Sequence, residues 1–295
     1  MSDECKHGFD NGLCATCFPP PPREVPVAEP PAPKVRRSTV APSLREPAPT
    51  RVRTAATAKT VTKAAAALPV VRVGEQRLYH VTHIRNLERI LETGSILPVA
   101  SPALPDGPVV DIAAASHREA RRTMVLAGTD DLTPADFVPF FLTPDADLWA
   151  GIRAGEHDVR LSAEAFASSV NDYVVLVTTI DGAAVHPGEF DADTGRPSRA
   201  RVVVADGDAS HVLTSIGANA MTADRMVQRF ATDEDPAALR RAEVLVADAV
   251  PFDRVTVIGV ATVNVREHVK RLVAGAGHRT KVAAYTPWFQ EHVAD

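Results

Sequence analysis

Hydrophobic positions change their period along the chain. Runs rich in β-branched residues recur at Val70–Val73, Tyr173–Ile180, Ala200–Val204 and Val255–Val263, and they predict strands. Ile84–Thr93 (IRNLERILET) places Ile84, Leu87, Ile90 and Leu91 at helical spacing, and Gly94 is a natural C-cap. Ser116–Gly128 predicts a polar, Arg-rich helix, with further helices over Ala223–Phe230, Pro236–Ala247 and Val265–Ala274. Strands and helices are interspersed without a strict βαβ rhythm, so the prediction is a mixed α+β domain. No G-x-G-x-x-G follows the first strand and no Walker motif is present, which argues against Rossmann and P-loop nucleotide sites. No internal repeat is visible.

The pattern begins near Val70, and what precedes it has a different composition. Eleven prolines fall between Pro19 and Pro49, and residues 22–65 carry 9 Lys+Arg against 3 Asp+Glu. Proline fixes φ and removes a donor, so 19–69 reads as a disordered, basic Pro/Ala-rich linker. Its charge suits phosphate or an acidic partner; as a solvated linker it needs neither. The whole chain of 295 residues has a formal charge of −5, so the body from residue 66 is acidic. Aromatics are only 5% of the chain, and a core must therefore rest on Val, Ile, Leu and Ala. No apolar run reaches the roughly 18–20 residues of a membrane helix, and the N-terminus lacks the apolar stretch of a secretory signal. The expectation is a cytoplasmic protein without a membrane partner, organised as 1–18, 19–69, 70–290 and a tail at 291–295.

All three cysteines lie in the first segment, and with His7 they read Cys5-x-His7-x6-Cys14-x2-Cys17. Four such ligands suit tetrahedral zinc, and a segment too short to bury a core needs a metal to fold. A redox pair or two reduced thiols are the other readings of the Cys14–Cys17 spacing. An odd cysteine count in a cytoplasmic chain argues against disulfides.

Four blocks of the body carry candidate chemistry. Leu78-Tyr79-His80-Val81-Thr82-His83 joins a strand to the Ile84–Thr93 helix, where ring nitrogens and backbone groups make a ligand cradle; alternatively Thr82 caps the helix and a histidine is structural. Phe137–Leu142 reads as a buried strand closed by a proline turn. Val202–Val204 ends in the Asp206-Gly207 turn. Arg240-Arg241-Ala242-Glu243-Val244-Leu245-Val246 sets one carboxylate inside an apolar run, where it needs an ion pair or a ligand hydrogen bond.

Taken in order, these blocks resemble the DarT family of ADP-ribosyltransferases, which use NAD to modify bases of single-stranded DNA. The matching residues are Tyr79, His80, Thr82, His83, Asn86 and Leu87; Gly94-Ser95-Ile96-Leu97; Asp111-Ile112 and the Arg118–Arg122 helix; Phe137–Leu142; Ala205–Ala209; Arg240–Val246; and Pro287-Trp288-Phe289. The resemblance runs from about Val70 to Phe289. It implies an ADP-ribosyltransferase-like split mixed sheet with flanking helices, with NAD as co-substrate. It implies that His80, Thr82, the Val81 backbone and Leu97 hold NAD, and that Glu243 is the catalytic glutamate. A fixed carboxylate there would stabilise the positive charge that develops on the ribose as the nicotinamide bond breaks. The implied partners are single-stranded nucleic acid and an antitoxin or ADP-ribose hydrolase.

One position departs from the family. Asp145 stands where the family has an arginine, and Arg153, about two helical turns on, is the candidate to replace it in space. That exchange motivates an alternative: a degenerate module that binds nucleic acid or a partner without turnover. A third reading is an NAD glycohydrolase with no acceptor.

The N-terminal ligand set makes its own prediction. Elemental analysis of the purified chain is expected to find one zinc, lost in a Cys14→Ser, Cys17→Ser double variant. Three freely titrating thiols with no zinc would exclude the metal reading.

Overall fold

Alternating β-branched and large apolar residues form one eight-stranded sheet buried on both faces. The computed structural model describes residues 72–190, 192–193, 195, 197–207, 212–216 and 236–290. Contacts divide the chain after Lys63, and the described residues belong to the second unit, Ala64–Asp295. The strands of the sheet are β1 (Arg77–His83), β3 (Phe137–Phe141), β4 (Tyr173–Thr179), β7 (Val202–Ala205), β8 (Val212–Ile216), β9 (Glu243–Ala247), β11 (Val257–Val260) and β12 (Lys281–Ala284). Their order is β12-β11-β4-β1-β3-β9-β7-β8, all neighbours antiparallel except β11 and β12. Two small ribbons pair β2 (Ser95–Ile96) with β10 (Val250–Pro251), and β5 (Val185–Phe190) with β6 (Pro197–Arg199).

The helices among the described residues are α1 (Ile84–Thr93), α2 (Ala115–Thr123), α3 (Asp147–Ala154), α4 (Ala163–Ala167), α5 (Ile180–Ala184), α6 (Pro236–Arg241) and α7 (Val263–Gly275). One face of the sheet carries Leu78, Val138, Phe140, Leu176, Val244 and Ile258, covered by Leu87 and Ile90 of α1 and by Val269 and Val273 of α7. Each such side chain contributes roughly 1.5–3 kcal/mol on burial. The other face is divided. Tyr79, Trp149, Tyr173, Val175 and Phe289 make one cluster, and Leu126, Phe137, Val203 and Leu245 another. β3 contributes to both, Phe141 packing with the first and Phe137 with the second.

α1 begins and ends where its sequence requires. His83 is the N-cap, its Nδ1 accepting from Arg85 N–H at 3.2 Å. Gly94 takes the left-handed conformation at the C-cap, φ 66°. The C-terminal Pro287-Trp288-Phe289 block folds back on the sheet. The Trp288 ring lies over Gly259, where an added Cβ would stand 2.7 Å from it, and the Trp288 carbonyl accepts from Trp149 Nε1 at 2.7 Å.

Three predicted elements differ. Val73–Glu75 is a 3-10 turn rather than a strand, and β1 starts only at Arg77; Val70 and Val71 of the predicted strand lie outside the described residues. The helix predicted over Pro236–Ala247 stops at Arg241, and Glu243–Ala247 is β9. The β-branched Val244 and Val246 fill a central strand position between β3 and β7, and tertiary pairing overrides the preceding Ala-Leu-Arg helical run. The Arg-rich helix is shorter than predicted, ending at Thr123. The ligand set Cys5, His7, Cys14 and Cys17, the 19–69 linker, the Ala223–Phe230 helix and the 291–295 tail lie outside the described residues. No described helix is long and apolar enough to cross a membrane, and no described group of His, Cys, Asp and Glu is placed to hold a metal ion.

His80, His83 and His117 are each held below the usual imidazole range, chiefly by burial. The unfolded chain, with histidine values near 6.5, then binds protons before the folded one does. Their contribution is full above about pH 6.5 and drains away as pH falls below it. The melting temperature is expected to fall between about pH 7 and pH 5. His83→Asn, which keeps a capping acceptor, should lessen the fall. A flat or rising melting temperature across that window would contradict this.

Candidate active site

β1 and β3 are neighbours in the sheet but pair at one position only, Tyr79↔Phe141. β1 is otherwise held by β4 along its whole length, and β3 by β9. Beyond that single pairing the two strands part, and a cavity of about 230 Å³ opens between them. His80, Val81 and Thr82 line it from β1, Phe137, Pro139 and Phe141 from β3, and Glu243 from the start of β9. The walls also include Leu97, Val110, Trp149 and Ile152, so the space is largely apolar with a few placed polar groups.

Proline suits the middle of β3 here because no partner strand on the β1 side asks for its N–H. Its carbonyl is met by a side chain instead: His80 Nδ1 lies 2.8 Å from the Pro139 oxygen. A carbonyl only accepts, so Nδ1 carries the proton. Burial lowers the His80 pKa and favours the neutral ring, while the Pro139 contact pulls the other way. Nε2 is then left as the ring's acceptor.

Thr82 and Asn86 make a second fixed unit, one helical turn apart across the β1–α1 junction. Asn86 Nδ2 donates to Thr82 Oγ1 at 3.1 Å and to the Val110 carbonyl at 2.8 Å, and Asn86 Oδ1 accepts from Val110 N–H at 2.8 Å. Both residues are buried. Because Thr82 Oγ1 accepts from the amide, its own proton is left to donate. Thr82 therefore does not cap α1; His83 does.

Glu243 is buried, with Phe141 and Ala205 as its cross-strand neighbours. Its Oε2 accepts from Arg121 Nη1 at 2.7 Å, and both side chains are about nine-tenths covered. α2 supplies three lining residues, His117, Arg118 and Arg121. Arg118 is paired with Asp111. Arg160 also lines the cavity, gripped by both carboxylate oxygens of Asp158 through Nε at 3.0 and 3.1 Å and Nη2 at 2.6 Å. That contact holds the Asp158 carboxyl below its usual range. A carboxylate fixed by a guanidinium, neutral His80 and a donating Thr82 hydroxyl thus meet in one apolar recess. It can bind an aromatic amide and ribose hydroxyls, and stabilise positive charge near Glu243.

The cavity brings together all five body residues singled out from sequence: His80, Val81, Thr82, Leu97 and Glu243. Leu97 also lines a small annex of about 80 Å³ running along α1 to Arg89. Sequence reasoning missed His117, Arg121 and Arg160. The i, i+4 spacing of His117 and Arg121 put both on one helix face, but nothing in the sequence said which arginine meets Glu243. Arg153, the candidate to stand in for the family arginine, is turned toward Asp145 and the C-terminal block. Its side chain is 1% exposed, with Nη2 3.3 Å from Asp145 and Nη1 3.3 Å from the Trp288 carbonyl. Neither Asp145 nor Arg153 lines the cavity.

Comparison with known proteins agrees with this architecture. The family model described as "ssDNA thymidine ADP-ribosyltransferase, DarT" matches residues 79–290. The chain therefore belongs to the DarT family, a class of NAD-dependent ADP-ribosyltransferases acting on single-stranded DNA. Among solved structures, Thermus sp. 2.9 DarT in complex with ADP-ribosylated ssDNA is 21% identical with a TM-score of 0.52, covering 73% of this chain and 96% of that one. The same Thermus protein in complex with NAD+ is 20% identical, TM-score 0.52, over 73% and 98%. Thermosipho africanus DarTG in complex with ADP-ribose is 17% identical, TM-score 0.50, over 72% of this chain and 51% of that one. At these identities the likeness is one of fold. No curated protein matches the chain.

Replacing Asn86 by Leu would strand the Val110 N–H and carbonyl and release Thr82. The expected cost is about 2–4 kcal/mol in chemical denaturation, from two lost hydrogen bonds to buried backbone groups. A loss under about 0.5 kcal/mol would show that Asn86 does not hold this wall.

Proposed function

We propose that this chain transfers ADP-ribose from NAD to a base of single-stranded DNA, with Glu243 as the catalytic glutamate. The observation that carries this reading is the convergence of Glu243, His80 and Thr82 on one largely apolar cavity at the parting of β1 and β3. The residues suit the co-substrate. Phe141, Trp149 and Val81 offer apolar surface to a nicotinamide ring, the Thr82 hydroxyl donates to an amide oxygen, and His80 Nε2 accepts from an amide or ribose group. Arg118, Arg121 and Arg160, each paired with a carboxylate, keep further guanidinium N–H groups to offer the pyrophosphate. Leu97 and the annex toward Arg89 give the long molecule room to continue.

In the reaction the bond from ribose C1′ to the nicotinamide nitrogen breaks, and its electron pair leaves with nicotinamide. An acceptor nitrogen of the base forms the new bond to C1′ and gives up its proton to solvent. Positive charge grows on the ribose in between. In this reading Glu243 holds a ribose hydroxyl and offsets that charge, and the low-polarity walls strengthen the effect. Arg121 fixes the carboxylate in one orientation beforehand, so little reorganisation is needed during the reaction. A base inside a duplex cannot reach such a recess, which supports a single-stranded acceptor.

The alternative of binding without turnover was motivated by Asp145. Its place outside the cavity lining, paired with Arg153, supports the transferase reading instead. In the cell we read the chain as a toxin or defence effector, opposed by a hydrolase that removes the mark; the family relative named DarTG supports that pairing.

The test offers NAD labelled on its adenylate to single-stranded DNA, duplex DNA and RNA. Label is expected on single-stranded DNA, falling at least about a hundredfold in Glu243→Gln, the scale of removing one electrostatic stabiliser of a transition state. Equal labelling by the variant would remove Glu243 from the chemistry. Nicotinamide release without labelled nucleic acid would leave a glycohydrolase.

A further inference from the structure

His117 lines the cavity together with Glu243, half-buried, and its ring makes no hydrogen bond or ion pair among the described residues. The other ionisable side chains of the lining are engaged. Glu243 accepts from Arg121 at 2.7 Å, Asp111 pairs with Arg118, and Asp158 grips Arg160. His80 Nδ1 donates to the Pro139 carbonyl, and its Nε2 serves the co-substrate. His117 is left with both ring nitrogens open to the cavity and no structural duty to perform.

The backbone sets where that ring stands. His117 precedes Arg121 by one turn of α2, and side chains so spaced are neighbours, about 5–6 Å apart at Cβ. Arg121 is bonded to Glu243, so the imidazole lies at the carboxylate end of the cavity. The start of α2 is tied to the segment that carries Arg160. Ala114 N–H donates to the Arg160 carbonyl at 2.7 Å, and Ser162 N–H to the Ile112 carbonyl at 2.9 Å. Ser162 Oγ donates to the Asp111 carbonyl at 2.6 Å, and Ala113 bridges Leu161. No residue of α2 is buried in the core, so these bonds and the Arg121–Glu243 pair place the helix rather than packing.

We propose that His117 is the general base of the transfer, taking the proton that the acceptor nitrogen loses on its way to solvent. This rests on the transfer proposed above. The acceptor N–H bond breaks, and its proton passes to a free imidazole nitrogen. The electron pair left on the acceptor nitrogen forms the bond to C1′, and the bond to nicotinamide breaks with its pair leaving on nicotinamide. The imidazolium then returns the proton to solvent. Glu243 cannot fill this role as well, because a carboxylate that took the proton would turn neutral while positive charge grows on the ribose. His117 is in the right state to accept. Burial and the neighbouring Arg121 guanidinium hold it below the usual imidazole range, with Arg160 adding to this and Glu243 and Asp158 opposing it, so the ring is neutral at pH 7. Once it is protonated, the Glu243 and Asp158 carboxylates offset its charge.

The experiment follows label transfer from NAD to single-stranded DNA by the full chain, with kcat and KM measured between about pH 5 and pH 8. The wild-type rate is expected to fall on the acid side, with a midpoint below about 6.5. His117→Ala, which removes no core contact, should lower kcat about a hundredfold or more while KM for NAD changes less than about threefold. The acid limb should flatten, and added imidazole should restore the rate in step with its neutral form. His117→Gln keeps the bulk without the base; it should fall as far and gain nothing from imidazole. A kcat within about threefold of wild type in both variants, a raised KM with kcat intact, or an acid limb that survives both substitutions would overturn the role. If the wild type labels no nucleic acid at any pH, the proposed function fails and this inference with it; if wild type and both variants label it equally, only this inference does.

Discussion

The structure turns on one interrupted pairing. A β-sheet gains stability by pairing every strand edge it buries, and β1 and β3 forgo that except at Tyr79↔Phe141. The freed edge is met in part by side chains: the His80 ring takes the Pro139 carbonyl, and proline itself removes one N–H that would otherwise need a partner. The opposite face of the sheet stays continuous, with one cluster from Leu78 to Ile258 bridging the gap under α1 and α7. The strands can therefore part on one side without the domain coming apart, and the space between them becomes a site.

Charge inside that space is fixed before any ligand arrives. A buried carboxylate alone is costly, and Arg121 offsets the cost for Glu243 at 2.7 Å. The pair spans α2 and β9, 122 residues apart in sequence, so the Arg-rich helix is tied to the strand that carries Glu243. Asn86 does the same for the Val110 segment, binding its N–H and carbonyl together. Two polar clamps thus hold the loops between β2 and β3 over an apolar cavity, and each fails if one partner is removed because the other is left buried and unsatisfied. On the second face, Trp149 and Arg153 donate to the Trp288 carbonyl, which carries the C-terminal block against the cavity's floor.

Much of this was legible in the chain. Helix α1 could be read from its periodicity and Gly94, and the strand entering it from Leu78–His83, since local pattern and final structure agree there. The gathering of His80, Thr82, Leu97 and Glu243 followed from the family resemblance, not from spacing. What stayed hidden depended on contacts distant in sequence. Glu243–Ala247 looks helical after Pro236–Arg241 until β3 and β7 claim it on either side. Arg153 looked available to the site, yet its guanidinium is spent on Asp145 and the Trp288 carbonyl. The Arg121–Glu243 pair needs the whole sheet to be placed before it can be seen.

The central claim is that the parting of β1 and β3 is the NAD site, with Glu243 at its reacting end. A crystal structure of the chain with carba-NAD+, which binds without being cleaved, tests it most directly. The account predicts the nicotinamide ring between His80 and Phe141, its amide at Thr82, and a ribose hydroxyl within hydrogen-bond distance of the Glu243 carboxylate. Density for the ligand outside this cavity, or a nicotinamide ring with no ribose contact to Glu243, would contradict it.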